Sequence, residues 1–185
     1  MAFLAEMKGV SEVVGVDGIR KALIEFIDEN PHLEIKGSHS KKAFERFEGK
    51  SISLLKGDFF DIDDDVTNGK FDGIFDRGSI VAIQPSLREH YVGVMGKLLK
   101  PGGSIVMVTV DRREGSEEGK SAGPPFGING DEINRLYKDL DWVESITKLD
   151  EKNEFHDEES KSRWTMQGVD SLYELVYLVK KKSIQ

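Results

Sequence analysis

Cysteine is absent from this 185-residue sequence. Without thiols the chain forms no disulfides, and it has neither a cysteine-based metal site nor a cysteine redox site. Long apolar runs are also absent, since none reaches the roughly 18 residues of a membrane span. The first ten residues lack the pattern of a secretory signal. These absences predict a cytoplasmic protein with no part in the membrane.

An excess of positive charge is lacking as well. The formal net charge is −8, from 26 basic and 34 acidic residues that are mixed along the chain. No basic stripe is available for nucleic acid or for an anionic membrane surface, so we expect neither as a partner. A chain of this length is sufficient for one domain with a sizeable core. We therefore predict a single domain that spans residues 1–185.

The sequence instead contains an alternation of strand and helix patterns. Short apolar or β-branched runs predict strands, and apolar residues at helical spacing predict helices between them. The predicted strands are residues 12–16, 42–47, 51–56, 71–75, 104–110, 142–149 and 172–180, and the predicted helices are residues 19–29, 86–99 and 131–138. Such alternation predicts an α/β fold with a mostly parallel sheet that helices cover on both faces.

Two places depart from simple alternation. Residues 42–47 and 51–56 flank Glu48-Gly49-Lys50, which predicts a hairpin. The last two strands are separated only by the polar segment 150–161, which we interpret as a loop or insertion. Without a crossover helix, those two strands are expected to pair antiparallel at one edge of the sheet.

Two acidic residues follow predicted strands. Asp17 ends VVGVD, and an acid at such a position can accept hydrogen bonds from ribose hydroxyls; the alternative is an ordinary Asp-Gly turn. Asp58 in KGDFFDI can accept a bond from an exocyclic adenine amine, with Phe59 or Phe60 packed on the adenine face. The alternative there is an exposed aspartate beside a pair of core phenylalanines. Period-2 alternation turns only one of the two rings inward, so the two interpretations are compatible.

A charged pair, Asp76 and Arg77, lies between two apolar runs in FDGIFDRGSIVAI at residues 71–83. The pair follows a predicted strand, and the carboxyl ends of strands are where open α/β sheets bind ligands. Arg77 presents a planar fork of donors suited to a carboxylate, a carbonyl or an anionic substrate. The alternative is a surface arginine that pairs with Asp76 or with another nearby acid.

With these residues in place, the sequence resembles the thiopurine S-methyltransferase family. The resemblance rests on GKFDGIFDRGSIVAI at residues 69–83, on KPGG at residues 100–103, and on GPPFGINGDEINRLY at residues 123–137. Trp164 followed by GVDSLYELVYLV resembles the last strand of that family. The similarity extends from about residue 3 to residue 179, and no glycine-rich dinucleotide loop supports a dehydrogenase instead.

The resemblance implies a Rossmann-like methyltransferase fold and transfer of a methyl group from S-adenosyl-methionine to a small-molecule thiol. No metal and no catalytic base are implied, since an aromatic thiol is largely ionised near neutral pH. The cofactor-binding residues it implies are Asp17, Asp58, Phe59 and Arg77. The substrate-binding residues it implies are Arg77, Pro125, Phe126 and Arg163.

The family carries a further segment before the residue that matches Met1. That segment holds a substrate-covering helix, the first central strand and a glycine loop, so we expect all three to be missing from this chain. The missing strand would lie between residues 13–16 and 71–75. Its loss either leaves two unpaired edges or brings those strands together, and unpaired edges invite association with other chains.

We expect a monomer for a full-length form. The alternative function is a non-catalytic remnant that acts, if at all, through a partner chain.

Overall fold

The computed structural model describes residues 1–155 and 157–184, without the side chain of residue 160. They form two compact units, Met1–Gly69 and Lys70–Gln185. The strands are β1 (Val13–Asp17), β2 (Lys36–Lys41), β3 (Phe44–Gly49), β4 (Ile52–Lys56), β5 (Phe71–Arg77), β6 (Leu99–Arg112), β7 (Val143–Asn153) and β8 (Leu172–Lys181). The helices are α1 (Ala2–Ala5), α2 (Arg20–Glu29), α3 (Arg88–Leu98), α4 (Glu117–Ser121), α5 (Gly130–Tyr137) and α6 (Glu158–Thr165).

The first unit holds a four-stranded sheet in the order β1-β4-β3-β2. β1 and β4 are parallel, and β4 pairs antiparallel with β3, which confirms the predicted hairpin. β2 was not predicted from the sequence. Its residues KGSHSK contain no apolar alternation, and only its antiparallel pairing with β3 makes it a strand.

The core of the first unit forms where the apolar run of β4 meets α2. Ile52 and Leu54 are buried in one cluster with Leu23 of α2. The predicted helix 19–29 therefore contributes Leu23 to the core. Ile19 is 64% exposed, because it is the N-cap residue and lies before the first helical turn.

The second unit holds a sheet in the order β5-β6-β8-β7. β5 and β6 are parallel, whereas β8 pairs antiparallel with both β6 and β7. The antiparallel arrangement of the last two strands is thus confirmed. Both sheets are mixed rather than mostly parallel, because hairpin-type pairing adds antiparallel strands to one parallel pair in each. β1 and β5 each lie at one edge of their own sheet, and β2 and β7 lie at the opposite edges.

Helices α3 and α5 of the second unit bury apolar residues, including Tyr91, Met95 and Tyr137. α5 begins at Gly130, one residue before its predicted start, because the side chain of Asn129 caps it by accepting a hydrogen bond from the Glu132 N–H. The predicted start of α3 at Ser86 is two residues too early, since the helix begins at Arg88. Ser86 lies inside the 3-10 turn Pro85–Leu87, which carries the chain into the helix.

The polar segment 150–161 is only partly a loop. β7 continues to Asn153 because its backbone pairs with β8 as far as Tyr173, and α6 begins at Glu158. The predicted loop is wrong at residues 150–153 because the prediction relied on their polarity. An edge strand needs few apolar side chains when its backbone is paired. No helix within the described part of the chain is long and apolar enough to cross a bilayer.

Candidate functional site

The parallel pairing of β1 with β4 brings Asp17 and Asp58 to the same edge of the first sheet. Asp17 lies opposite Lys56, and the Gly57 N–H donates to the Asp17 carbonyl oxygen at 3.1 Å. The Asp17 carboxylate Oδ1 accepts the Ile19 N–H at 2.7 Å. Within residues 1–155 and 157–184 its Oδ2 makes no hydrogen bond, so this oxygen keeps its capacity to accept one.

Asp58 closes a short turn at that edge. Its Oδ1 accepts the Phe60 N–H at 2.9 Å and caps the 3-10 turn Phe59–Asp61. The rings of Phe59 and Phe60 meet edge to face with their centroids 6.1 Å apart, and both are half-buried. The segment is a 3-10 turn and not a strand, so period-2 alternation does not apply to these two rings.

The donor and acceptor set at this edge has the chemistry that an adenosine group requires. Two carboxylates can accept hydrogen bonds, from hydroxyls at Asp17 and from an amine at Asp58. Aromatic rings next to Asp58 offer a stacking surface. The residues Asp17, Asp58 and Phe59 therefore fit the nucleoside part of an adenosine cofactor.

In the second unit, Arg77 ends β5 and points to the surface. Its Nη2 donates to Glu174 Oε1 at 3.3 Å, and the Arg77 side chain is 64% exposed. The surface ion pair considered from the sequence is therefore present. Its acidic partner comes from β8, since the neighbouring Asp76 points the other way. Ligand binding by Arg77 stays a prediction.

Asp76 is buried and holds the turn that follows β5. Its Oδ1 accepts the Ile80 N–H at 3.2 Å, and its Oδ2 accepts the Tyr91 hydroxyl at 3.0 Å. Burial raises the pKa of the Asp76 carboxyl, and these hydrogen bonds oppose that rise. Burial and the neighbouring Asp76 charge also raise the pKa of Tyr91. Asp76 thus fixes the backbone beside Arg77 from within the core.

The Gly-Pro-Pro-Phe segment attaches to the turn after β5. The Phe126 N–H donates to the Val81 carbonyl oxygen at 2.6 Å, and the Ile128 N–H donates to the Val110 carbonyl oxygen at 2.7 Å. The peptide bonds that precede Pro124 and Pro125 are cis. Two segments distant in sequence, 77–83 and 123–128, thereby meet at the carboxyl-terminal edge of β5 and β6.

Arg112 is a residue that the sequence did not single out. It ends β6, is 7% exposed, and donates to the carbonyl oxygens of Gly119, Ala122 and Pro125 at 2.6, 2.7 and 2.7 Å. Burial lowers the pKa of its guanidinium. The alternation of β6 buries Met107 and Thr109 but breaks before Arg112, so the sequence carries no signal that this arginine turns inward.

Trp164 lies between two arginines. The Arg112 guanidinium carbon is 5.3 Å from the centroid of the Trp164 ring, and the Arg163 guanidinium carbon is 6.0 Å from it. Arg163, predicted as a substrate residue, is exposed on α6. The structure therefore joins the region of Arg163 to the end of β6 through Trp164. Substrate binding by Arg163, Pro125 and Phe126 stays a prediction.

A cavity of about 430 Å³ opens beside Arg112. Arg88, which is buried, borders it and donates to Glu132 Oε1 at 3.2 Å and to the Gly127 carbonyl oxygen at 3.3 Å. Lys120 and Asp111 also contribute to its wall. The cavity is large enough for a small organic molecule, and its wall mixes cations with acids.

Comparison with known sequences gives one consistent result. The sequence profile of the thiopurine S-methyltransferase family matches residues 1–182. A thiopurine S-methyltransferase from Equus caballus is 34% identical over 178 residues, and one from Shewanella woodyi is 29% identical over 184 residues. The aligned regions cover 92% and 98% of this chain. The chain spans 65% of the length of the horse protein and 77% of the bacterial protein.

Solved structures show a similar fold at low sequence identity. An arsenic(III) S-adenosylmethionine methyltransferase from Chlamydomonas reinhardtii gives a TM-score of 0.64 at 16% identity, covering 96% of this chain and 58% of that one. The N-methyltransferase NodS from Bradyrhizobium japonicum, in complex with S-adenosyl-L-homocysteine, gives 0.55 at 12% identity, covering 92% and 66%. These likenesses show the α/β fold of such methyltransferases.

Proposed function

Because the chain belongs to the thiopurine S-methyltransferase family, we propose that it transfers a methyl group from S-adenosyl-methionine to the sulfur of a small thiol. The observation that carries the proposal is the family match over residues 1–182. The geometry of the two sheet edges supports it. Thiopurines and simpler aryl thiols are the acceptor class that we assign.

Three residues of the first unit would hold the nucleoside part of the cofactor. Asp17 keeps Oδ1 on the Ile19 amide and offers Oδ2 to the ribose hydroxyls. Asp58 is exposed and accepts from the adenine amine, while Phe59 packs on the adenine face. Carboxylates suit this task because hydrogen bonds to a charged acceptor are stronger than neutral ones.

Residues of the second unit would serve the acceptor. Arg77 is exposed and would exchange Glu174 for the cofactor or for an anionic acceptor. Pro125 and Phe126 are half-buried in a segment whose backbone is fixed by Val81, and they provide an apolar surface for an aromatic thiol. Arg163 lies next to Trp164 and offers a second cation to the acceptor.

The reaction requires the protein to align the two reactants more than it requires proton transfer. When bound, S-adenosyl-methionine supplies a methyl group that its sulfonium sulfur has already activated. The protein then has to keep the acceptor sulfur in line with that methyl group, and orientation of this kind contributes about 7–11 kcal/mol to catalysis. An ionised aryl thiol needs no general base, so we assign no catalytic residue.

Three further parts belong to the proposal. We place the protein in the cytoplasm, we expect a monomer, and we treat the two compact units as one methyltransferase domain. Size-exclusion chromatography with light scattering measures the oligomeric state. A dimer at micromolar concentration would contradict the monomer and would direct attention to the edge strands β1 and β5.

Calorimetric titration with S-adenosyl-homocysteine tests the cofactor site. Asp17→Asn keeps an oxygen for the Ile19 N–H but removes the charge, so the turn survives. We expect about 10- to 100-fold weaker binding, the equivalent of one hydrogen bond to a charged group. Asp28→Asn is the matched control, because Asp28 is exposed on α2 of the same unit.

Three outcomes separate the possibilities. Binding by the native protein, weakened by Asp17→Asn and not by Asp28→Asn, supports the assigned nucleoside site. Equal binding by all three proteins removes Asp17 from that site. No heat with the native protein, together with no methyl transfer to a thiopurine or an aryl thiol, contradicts the enzyme and favours a non-catalytic role.

A further inference from the structure

Arg112 has an unusual set of partners for a buried arginine. Buried guanidinium groups are normally neutralised by carboxylates. Within the described residues, Arg112 forms no ion pair, and its two terminal nitrogens donate to carbonyl oxygens of residues 119, 122 and 125. Its Nε is buried and has no hydrogen-bond partner among those residues.

The residue that follows the strand shows the ordinary behaviour. Arg113 is more exposed, donates to Asp111 and Glu151, and lies over the Tyr173 ring with its guanidinium carbon 4.0 Å from the centroid. Arg113 is thus neutralised by two acids. A buried cation that lacks acidic partners contributes little to stability, because removing it from water is costly. Its partners therefore indicate a different role.

Those partners all belong to one segment. The three carbonyl oxygens that accept from Arg112 lie within residues 119–125, which run directly into Phe126. Hydrogen bonds from a charged donor are roughly twice as strong as neutral ones. One side chain therefore fixes the segment at three points, while the Phe126–Val81 and Ile128–Val110 bonds fix its far end.

The same guanidinium reaches a second segment. Its face lies 5.3 Å from the centroid of the half-buried Trp164 ring, next to Arg163. Arginine combines planar donors with a stacking face, and lysine offers neither in the same form. Arg112 thus links the segment 119–126 to α6, and these are the two places where acceptor-binding residues are assigned.

We propose that Arg112 is a positioning residue that holds residues 119–126 and Trp164 in one arrangement around the acceptor thiol. This inference rests on the proposed function for the identity of the ligand. Arg112 touches no reacting atom in this role. It acts through Pro125, Phe126 and Trp164, so its loss changes acceptor binding and leaves the nucleoside site of the first unit intact.

The test compares Arg112→Met and Arg112→Lys with the matched control Arg113→Met. We expect Arg112→Met to raise KM for an aryl thiol about tenfold or more, the equivalent of one or two lost charge-assisted hydrogen bonds. Affinity for S-adenosyl-homocysteine stays within about twofold of native. Arg112→Lys restores part of the loss, because it keeps the charge but not the three-point geometry, and Arg113→Met leaves KM unchanged.

Amide hydrogen exchange supplies a readout that does not need activity. Arg112→Met should speed exchange at the amides of Phe126 and Ile128, while the Ile105 amide in the buried middle of β6 stays protected. An active native protein with an unchanged KM in Arg112→Met overturns the inference and leaves the proposed function standing. Equal acceleration at Ile105 also overturns it, because that outcome means general destabilisation.

A native protein that neither binds S-adenosyl-homocysteine nor transfers methyl contradicts the proposed function separately. The exchange rates then test the role of Arg112 on their own. Faster exchange confined to Phe126 and Ile128 in Arg112→Met supports Arg112 as the residue that positions this segment, and unchanged exchange contradicts that role.

Discussion

Replacing Tyr91 by phenylalanine removes the hydroxyl that donates to Asp76 Oδ2 at 3.0 Å. Tyr91 is 3% exposed and Asp76 is 1% exposed, so a hydrogen bond from solvent water does not replace the one that is lost. A hydrogen bond to a charged, buried group contributes about 1.5–3 kcal/mol to stability. We expect Tyr91→Phe to lower the free energy of unfolding of the second unit by that amount near neutral pH.

The pH dependence of this loss has a definite sign. Burial raises the pKa of Asp76 in the folded state above its ordinary value of 3.8. The folded protein then binds the proton more tightly than the unfolded chain, so stability from this group is present below pH 3.8 and declines as pH rises through the raised pKa. The Tyr91 hydrogen bond lowers the pKa of Asp76, so its removal raises that pKa further. The deficit is therefore larger above the raised pKa than below pH 3.8.

Urea denaturation followed by tryptophan fluorescence measures the effect, because Trp142 and Trp164 both belong to the second unit. Tyr137→Phe is the control: its hydroxyl is buried and lacks a hydrogen-bond partner among the described residues. Removing that hydroxyl should be neutral or slightly stabilising. A Tyr91→Phe loss no larger than that of Tyr137→Phe, or a deficit that grows toward low pH, would refute the reasoning.

Three other substitutions have expected outcomes that the same denaturation method, with circular dichroism as the probe, can check. Asn129→Ala removes the cap on the Glu132 N–H and should lower stability by about 1 kcal/mol; no change would mean that the cap is dispensable. Leu54→Ala, at a side chain that is 0% exposed, should cost about 2–5 kcal/mol, and a loss under 1 kcal/mol would contradict its place in the core. Gly57→Ala places a methyl group on the ring of Phe44 and should cost about 1–3 kcal/mol, unless Phe44 is replaced by a smaller residue at the same time.

The parts of the fold that follow from local signals were predictable. The hairpin of β3 and β4 has a turn between two strand patterns, and α5 has an asparagine at its cap. β2 carries no such signal. Its polar residues become a strand only because β3 offers a free edge, which is a tertiary effect that no window of the sequence contains.

The candidate site divides in the same way. Asp17 and Asp58 follow strand patterns, so their common edge could be inferred once β1 and β4 were taken as parallel neighbours. The inward turn of Arg112 could not be inferred. It depends on carbonyl groups at the end of α4 and in the irregular segment that follows it, and those groups are directed by the fold and not by residue type.

The exposed Arg77–Glu174 pair has a consequence for rates. Exposed side chains change rotamer within picoseconds to nanoseconds, so this pair opens and closes far faster than any enzyme turns over. The segment before Phe126 is held at several points by Arg112 and Val81, and its movement belongs to the slower class of loop motions. Release of Arg77 from Glu174 would therefore never limit the entry of an anionic ligand. Any rearrangement of the segment that Arg112 holds would be slower than the opening of this ion pair.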